Sequence, residues 1–194
     1  MLEDDCSSDH TSDASGRCRE ARATNFSNLE KNIYQSKITQ SNNSPMADFS
    51  RRYKFSDWPN SEVPAVAAGV YAVWDGENLI YCGMSGREFE KIVESARVKF
   101  GLVTRLASHA SGRLSGDQFC VYVANRLVIP SLKPEQLAQF ATGELNLDSL
   151  TKAYINERLE YQFAFVQASA EAYALEKRCR EGVIFGVKPL LNPA

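Results

Sequence analysis

Two short apolar runs, rich in β-branched and aromatic residues, flank Asp75-Gly76 within residues 69–83. Runs of this composition on either side of a turn dipeptide predict a β-hairpin. Each run carries one tyrosine next to a glycine or close to one. With a three-residue loop, Tyr71 would pair directly across from Tyr81 on one face of the hairpin, whereas a two-residue loop would place the two tyrosines on opposite faces.

Apolar residues recur at helical spacing in two segments after the hairpin. The first segment predicts an amphipathic helix from Glu88 to Phe100. The second segment predicts a helix from about Leu102 to Ala110. The apolar stripe of this second helix leaves Arg105, Ser108 and His109 turned away from the core.

The second half of the chain switches between strand-like and helical patterns. A run from Gln118 to Ile129 is rich in β-branched residues and predicts a strand, which either extends the sheet or covers one side of it. Together with the hairpin, these patterns predict an α/β fold with a small, mainly antiparallel, three-stranded sheet flanked by helices. The remaining predicted elements are a helix over Pro134–Phe140, a helix capped by Asp148 or Ser149 and ending near Arg158, a strand over Glu160–Gln167, and a helix over Ala170–Glu181 capped by Ser169.

Residues 1–45 are rich in Ser, Asn, Asp and Thr, and their scattered apolar residues follow neither the helical nor the strand period. Such a segment cannot bury enough apolar surface to offset the entropy lost on ordering. We therefore predict a disordered tail over 1–45 and one folded domain over 46–194. The chain has 194 residues, 44% of them hydrophobic, which is ample for a single core.

The charge of the folded part is balanced. The net charge of −2 lies in the tail, because residues 1–45 hold 5 Lys and Arg against 7 Asp and Glu, while residues 46–194 hold 17 of each sign. A balanced domain can bind phosphate through a local cluster, but it lacks the field that gives tight non-specific DNA affinity. The charge argues against an unaided, high-affinity DNA-binding protein.

Cysteine and histidine usage excludes several classes of site. The five cysteines are scattered without a C-x-x-C pair, and the chain has only two histidines. This pattern supports neither a disulfide framework nor a structural zinc site, and it excludes a histidine-rich metal centre. Since no apolar run reaches the roughly 18 residues of a membrane span and no signal pattern is present, we expect a soluble, cytoplasmic protein with no membrane partner.

Residues 69–71 read Gly-Val-Tyr, and residues 81–83 read Tyr-Cys-Gly. These tripeptides resemble the pair that names the GIY-YIG nuclease superfamily, although the central cysteine replaces the usual β-branched residue. The resemblance covers roughly residues 69–194. It implies a fold like that of the GIY-YIG endonucleases, with the segments at about 86–101 and 126–158 as insertions.

The resemblance implies roles for four residues of the hairpin and the helix after it. Tyr71 and Tyr81 match the motif tyrosines, which position or deprotonate the attacking water. Arg105 matches the family's helix arginine, whose guanidinium can fork two phosphate oxygens. His109, four residues later, matches a histidine of restriction-enzyme members, which shares a proton with Tyr71 or contacts the phosphate. The structural alternatives are half-buried strand tyrosines, a surface arginine and a histidine that bonds a local carbonyl.

The resemblance also assigns two residues near the C-terminus. Glu176 matches the family's helix glutamate, the sole protein ligand of a divalent cation such as Mg²⁺ or Mn²⁺. It is preferred over Glu171 and Glu181 because it borders the apolar stripe of its helix, and the alternative is an exposed ion pair with Arg180. Asn192 matches the terminal asparagine, which either bonds the substrate or holds the tail that closes the site.

The implied function is that of a metal-dependent endonuclease that hydrolyses phosphodiester bonds in DNA. The balanced charge, and the lack of a helix-turn-helix, zinc finger or basic arm, favour a different class: a catalytically weak or inactive nucleic-acid-binding or assembly module with the same fold. A third class is an enzyme acting on small phosphorylated molecules. If DNA is the partner, a homo-oligomer or a separate targeting protein would supply the missing affinity.

Overall fold

The computed structural model of the chain describes residues 48–93 and 99–193. These residues belong to one of the two compact units of the chain, Met46–Ala194. The predicted disordered tail at 1–45 lies outside the described residues. Residues 94–98, in the first predicted helix, also lie outside them.

A five-stranded sheet forms the centre of the described domain. Its three long strands are antiparallel, and two strands of two residues each extend it, so the predicted sheet is correct in its main strands but incomplete. The order across the sheet is β1-β5-β2-β3, and β4 pairs with β2 in parallel. In chain order the strands are β1 (Tyr53–Lys54), β2 (Val66–Asp75), β3 (Asn78–Ser85), β4 (Phe100–Gly101) and β5 (Leu159–Val166).

The described residues also form six α-helices, so the fold is α/β with a small, mainly antiparallel sheet and flanking helices, as predicted. None of these helices is long and apolar enough to cross a membrane. All four helices predicted after residue 101 are confirmed. The segment from Gln118 to Ile129, predicted as a strand, is discussed below. In chain order the helices are α1 (Phe89–Val93), α2 (Leu102–Ser111), α3 (Gln118–Val123), α4 (Pro134–Thr142), α5 (Leu147–Arg158) and α6 (Ser169–Arg180).

Strand β2 is buried along nearly its whole length because helices cover both of its faces. On one face, Val70, Ala72 and Trp74 pack in a cluster with the buried apolar residues of α6. On the other face, Gly69 lies so close to Leu102 of α2 that a Cβ at position 69 would overlap it. The central strand therefore holds α2 and α6 at fixed positions relative to the hairpin.

The hairpin has a two-residue loop, Gly76-Glu77, which is the shorter of the two loops considered above. Next to the loop Trp74 pairs with Leu79, but Val73 then pairs with Tyr81. Ile80 is therefore an extra residue in β3, which is a β-bulge. The bulge shifts the register by one residue and so reverses which side chains of β3 share a face with those of β2.

This shift returns Tyr71 and Tyr81 to one face of the sheet despite the short loop. They are diagonal neighbours instead of a direct pair, because Tyr71 lies opposite Gly83 and Tyr81 lies opposite Val73. Their ring centroids are 6.2 Å apart. The expected juxtaposition of the two phenols therefore arises through a bulge that the turn residues alone did not predict.

The run from Gln118 to Ile129 is helical, so the predicted strand is wrong. It forms α3, followed by a π-helical turn at Ala124–Val128 and a 3-10 turn that begins at Ile129. The Asp117 carboxylate caps α3 by accepting hydrogen bonds from two backbone N–H groups of its first turn. This cap and the tertiary packing of the apolar side chains outweigh the β propensity of the run. The segment consequently covers one side of the domain and does not extend the sheet.

Three element ends also differ from the predictions. Asn146, and neither Asp148 nor Ser149, caps α5, because its side chain accepts a hydrogen bond from the backbone N–H of Ser149. Ser169 is the first residue of α6, and its N–H and hydroxyl donate to Glu90 of α1. Near the end of the first predicted helix, the chain forms β4 instead of a helical turn.

Candidate active site

A cleft of about 490 Å³ lies where the hairpin, α2, α6 and the start of α3 approach one another. Its walls combine phenol, imidazole, guanidinium and carboxylate groups, which together can bind and activate a phosphate ester. Five of the six predicted site residues line it: Tyr71, Tyr81, Arg105, His109 and Glu176. Asn192 does not.

The ring of Tyr71 lies directly over Gly83 of the neighbouring strand. A Cβ at position 83 would overlap the hydroxyl of Tyr71 and press on the ring of Tyr81. Glycine is therefore required at this position for a steric reason, since any side chain would displace both phenols. Tyr71 itself is buried, and its Oη lies 2.8 Å from Nε2 of His109.

His109 is buried, so the prediction that it turns away from the core is wrong. Its ring packs against Phe119 with the centroids 4.5 Å apart, and its Nδ1 lies 2.7 Å from Oδ2 of Asp117. The hydroxyl of Ser108 donates to the same carboxylate oxygen at 2.6 Å. The imidazole thus connects a phenol of the cleft to a buried carboxylate.

Burial lowers the pKa of His109 below its usual value, although the Asp117 carboxylate opposes this shift. Burial alone would raise the pKa of Asp117, but the hydrogen bonds from His109 and Ser108 outweigh it and hold the pKa below its usual range. At neutral pH the pair is therefore a neutral imidazole beside an ionised carboxylate.

Both phenols of the cleft hold their protons firmly. Burial raises the pKa of Tyr71 well above its usual value, and burial together with the charge of Glu176 raises the pKa of Tyr81 to about 12. The positive charge of Arg105, which lines the same cleft, partly opposes both shifts of the pKa. A phenol in this cleft can act as a base only if its own proton has somewhere to go.

Arg105 projects from α2 as an exposed side chain into the cleft, and the exposed side chain of Arg87 lines the same cleft beyond the end of β3. Neither guanidinium forms a hydrogen bond or an ion pair with another described residue. Both cations therefore keep their full capacity to bind an anion.

Glu176 is the only carboxylate of α6 among the residues that line the cleft. Its side chain is 16% exposed and lies 3.9 Å from Arg180, at the outer limit of an ion pair. Burial raises the pKa of Glu176, while the charges of Arg180 and Arg87 oppose the shift. The two rival glutamates are exposed elsewhere on the helix: Glu171 accepts a backbone hydrogen bond and Glu181 lies near Lys177.

Asn192 holds the C-terminal tail against the outer edge of β3. Its Oδ1 accepts from the N–H of Cys82 at 2.7 Å, and its Nδ2 donates to the carbonyl of the same residue at 2.8 Å. The N–H groups of Leu190 and Leu191 donate to carbonyls of the same strand, one of them at the bulge. Of the two roles expected for Asn192, the structure places it in the one that fastens the tail.

His109, Asp117 and Cys120 form a buried group that could hold a metal ion, because each offers a ligand atom and these atoms lie within 4.8 Å of one another. The same atoms already have partners inside the protein: both ring nitrogens of His109 are hydrogen-bonded. Burial raises the pKa of Cys120 to about 12, so its sulfur is a thiol and not the thiolate that binds metals. A metal here would have to displace an intact hydrogen-bond network.

Asp117, Ser108 and Arg87 also line the cleft, although none of them was predicted as a site residue. Asp117 precedes an apolar run, which is the N-cap signal of a helix, and reading it as such would have placed its carboxylate at a helix start. No comparable signal existed for Ser108 or Arg87, whose positions depend on how α2 and the turn after β3 pack.

Comparison with protein-family models, with curated proteins and with solved structures finds no match to this chain.

Proposed function

We propose that the protein is a metal-dependent endonuclease that hydrolyses phosphodiester bonds in DNA, as its resemblance to the GIY-YIG superfamily implies. The observation that carries the proposal is the convergence of Tyr71, Tyr81, Arg105, His109 and Glu176 on one cleft. These residues come from three parts of the chain, the β2–β3 hairpin, α2 and α6, and all five match positions of the superfamily's motifs.

Glu176 fits the role of a ligand for Mg²⁺ or Mn²⁺. A hard divalent cation favours carboxylate oxygen, and a single carboxylate leaves its other positions to water and substrate phosphate. Because burial raises the pKa of Glu176, a cation beside it would offset the cost of keeping the carboxylate ionised. When bound there, the ion would supply Lewis-acid stabilisation of phosphoryl charge.

Arg105 fits the role of phosphate ligand. Its guanidinium bonds no described residue and lines the same cleft as both phenols, so it can take up charge that develops on phosphoryl oxygens. Tyr71 fits the role of the group that orients and deprotonates water, assisted by the hydrogen bond between its hydroxyl and His109. Tyr81 lines the cleft beside it and completes the wall.

A second candidate function is a nucleic-acid-binding or assembly module with weak or no activity. The balanced charge of residues 46–194 favours it, because such a surface gives little general attraction to DNA. Helix α4 also exposes Leu137 and Phe140, which a partner protein could cover. Under either proposal, strong DNA binding requires a second copy of the chain or a targeting partner.

Plasmid cleavage in Mg²⁺ or Mn²⁺ tests the proposal, with Glu176→Gln as the variant. We expect the wild type to nick or linearise plasmid, and the variant to lose at least about 10³-fold in rate because the metal ligand is gone. Glu181→Gln is the matched control, since it alters an exposed glutamate on the same helical segment and should cleave like wild type. Equal cleavage by Glu176→Gln would refute the metal role.

The same variant separates lost activity from lost folding. Burial raises the pKa of Glu176, so the ionised carboxylate costs stability at neutral pH and its replacement by Gln should increase the free energy of unfolding there. A variant that is inactive but at least as stable as wild type supports a functional role. If the wild type cleaves no plasmid and also no model diester, the binding-module proposal takes precedence.

A further inference from the structure

Three buried side chains form a continuous hydrogen-bonded line from the start of α3 through α2 to β2. Asp117, His109 and Tyr71 are 3%, 1% and 2% exposed. The two links measure 2.7 Å, between Oδ2 of Asp117 and Nδ1 of His109, and 2.8 Å, between Nε2 of His109 and Oη of Tyr71. The line ends at the cleft, where Tyr71 is a wall residue.

The polarity of this line follows from the bonds around Asp117. Its Oδ1 accepts from the backbone N–H groups of Phe119 and Cys120, and its Oδ2 accepts from the hydroxyl of Ser108. An ionised carboxylate can only accept, so Nδ1 of His109 carries the proton that completes the remaining bond. Nε2 is then unprotonated and accepts the hydroxyl hydrogen of Tyr71.

We propose that Asp117 is a positioning residue that fixes His109 in the Nδ1-protonated tautomer, so that His109 can receive the phenolic proton of Tyr71 while Tyr71 deprotonates the attacking water. The role in hydrolysis rests on the proposed function, whereas the tautomer assignment rests on the hydrogen bonds alone. Asp117 would then act on His109 as the carboxylate of a catalytic triad acts on the imidazole base that it orients.

In this step, two proton transfers accompany the attack of water on phosphorus. One O–H bond of water breaks and its proton moves to Oη of Tyr71, while the phenolic proton of Tyr71 moves to Nε2 of His109. The water oxygen forms a bond to phosphorus, and the ester P–O bond breaks with its electron pair remaining on the leaving oxygen. That oxygen takes a proton from solvent, and the imidazolium of His109 later returns its proton to solvent.

This line also distinguishes the two phenols of the cleft. Tyr81 packs against Phe119 and Tyr122, and no described residue accepts a hydrogen bond from its hydroxyl. Among the described residues, its proton therefore has no acceptor comparable to Nε2 of His109. The geometry assigns proton transfer to Tyr71 and leaves Tyr81 as a wall of the cleft.

Asp117→Asn tests the assignment because it should preserve the cap of α3 while reversing the direction of the hydrogen bonds that connect residue 117, His109 and Tyr71. Asparagine caps a helix about as well as aspartate, so its Oδ1 can keep the bonds to the first turn. Its amide N–H₂ would face His109 and donate to Nδ1, which moves the ring proton to Nε2 and aims it at Tyr71. Asp148→Asn is the matched control, since Asp148 also accepts a backbone N–H bond but lies outside the cleft.

Nitrogen NMR of the histidine rings gives a readout that does not depend on activity. The chain has only His10 and His109, so His10→Gln assigns the signals. We expect the wild type and Asp148→Asn to show protonated Nδ1 and unprotonated Nε2 in His109, and Asp117→Asn to show the reverse. In plasmid cleavage, Asp117→Asn should lower kcat by about 10²-fold or more with little change in KM.

Each result bears on the positioning role of Asp117 or on the proposed function. A wild-type His109 protonated at Nε2 would overturn the positioning role, and this spectrum suffices even if Asp117→Asn does not fold. A folded Asp117→Asn protein in which the His109 tautomer and kcat are both unchanged would also overturn it. Binding of Zn²⁺, added as the only ligand, to both the His109 ring and the Asp117 carboxylate would overturn it as well. The expected tautomer in a protein that cleaves no nucleic acid would support the assignment but reject the proposed function.

Discussion

The two walls of the cleft differ in how the protein treats their polar groups. One wall, made of Tyr71, His109 and Asp117, is buried and every hydrogen bond of the line is made within the protein. The other wall, made of Arg105, Arg87 and Glu176, carries two exposed guanidiniums that bond no described residue and one carboxylate whose side chain is 16% exposed. We call these the hydrogen-bonded wall and the charged wall.

The difference has a physical cause. A polar group taken out of water costs free energy unless it finds a partner, so the hydrogen-bonded wall must be completed when the chain folds. A charge at the surface remains hydrated and needs no partner, so the two exposed guanidiniums of the charged wall can keep their bonding capacity for a ligand. We therefore expect the loss of either guanidinium to affect activity alone, and changes to the hydrogen-bonded wall to affect activity and stability together.

After the loss expected for Glu176→Gln, the largest effect on activity is expected for Arg105→Ala on the charged wall. Removing a single group that stabilises transition-state charge typically costs about 10²–10³ in rate, and we expect a loss of kcat/KM in this range. The free energy of unfolding should change by less than about 0.5 kcal/mol, because the side chain is exposed and bonds none of the described residues. Plasmid cleavage and urea denaturation measure the two quantities.

Arg113→Ala is the control for that prediction. Arg113 is an exposed arginine shortly after α2 and does not line the cleft, so its loss should leave both activity and stability unchanged. A large fall in stability for Arg105→Ala, with activity retained, would mean that the two walls do not differ in the way described.

The next effect is expected for His109→Leu on the hydrogen-bonded wall. The substitution leaves the carboxylate of Asp117 and the hydroxyl of Tyr71 buried with one partner fewer, and each such loss typically costs about 1–3 kcal/mol. We expect a decrease of about 2–4 kcal/mol in the free energy of unfolding, measured in urea at pH 8. Ser108→Ala removes only a neutral donor to the same carboxylate and should cost about 1 kcal/mol. Equal costs for the two would contradict the proposed importance of the line.

The difference in stability between wild type and His109→Leu should depend on pH in a predictable direction. Because burial lowers the pKa of His109 in the folded protein, the unfolded chain binds a proton at this site more readily. The contribution of His109 to stability is therefore complete above its ordinary pKa of 6.5 and decreases as the pH falls below that value. The difference between wild type and His109→Leu should narrow between pH 8 and pH 5. A difference that stays constant over this range would contradict the neutral state of the buried imidazole.

The smallest effect on activity is expected for Asn192→Ala, outside both walls. The substitution removes two hydrogen bonds to the backbone of Cys82 and should lower the free energy of unfolding by about 1–2 kcal/mol. Because Asn192 does not line the cleft, kcat/KM should stay within about threefold of wild type at temperatures where both are folded. Asn125→Ala, at an exposed asparagine, is the control for stability. Lost activity with unchanged stability would place Asn192 on the substrate instead.

Much of this fold could be predicted from local patterns. The hairpin, α2, β5 and α6 follow from apolar periodicity and from the residues that end each element, and these signals lie within a dozen neighbouring positions. The segment from Gln118 to Ile129 could not be predicted in this way, because its β-branched residues favour a strand and only the Asp117 cap and the packing of the helix decide otherwise.

The sequence by itself determined which chemical groups are available to the cleft and on which elements they stand, since periodicity placed Arg105 and Glu176 on helices and the two tyrosines on a hairpin. Only the tertiary structure decided that Ile80 forms a bulge, which brings both phenols to one face, and that His109 turns inward to join Asp117 and Tyr71. The reason is that local patterns depend on neighbours along the chain, whereas a buried hydrogen bond forms between groups that meet only when distant elements pack and exclude water.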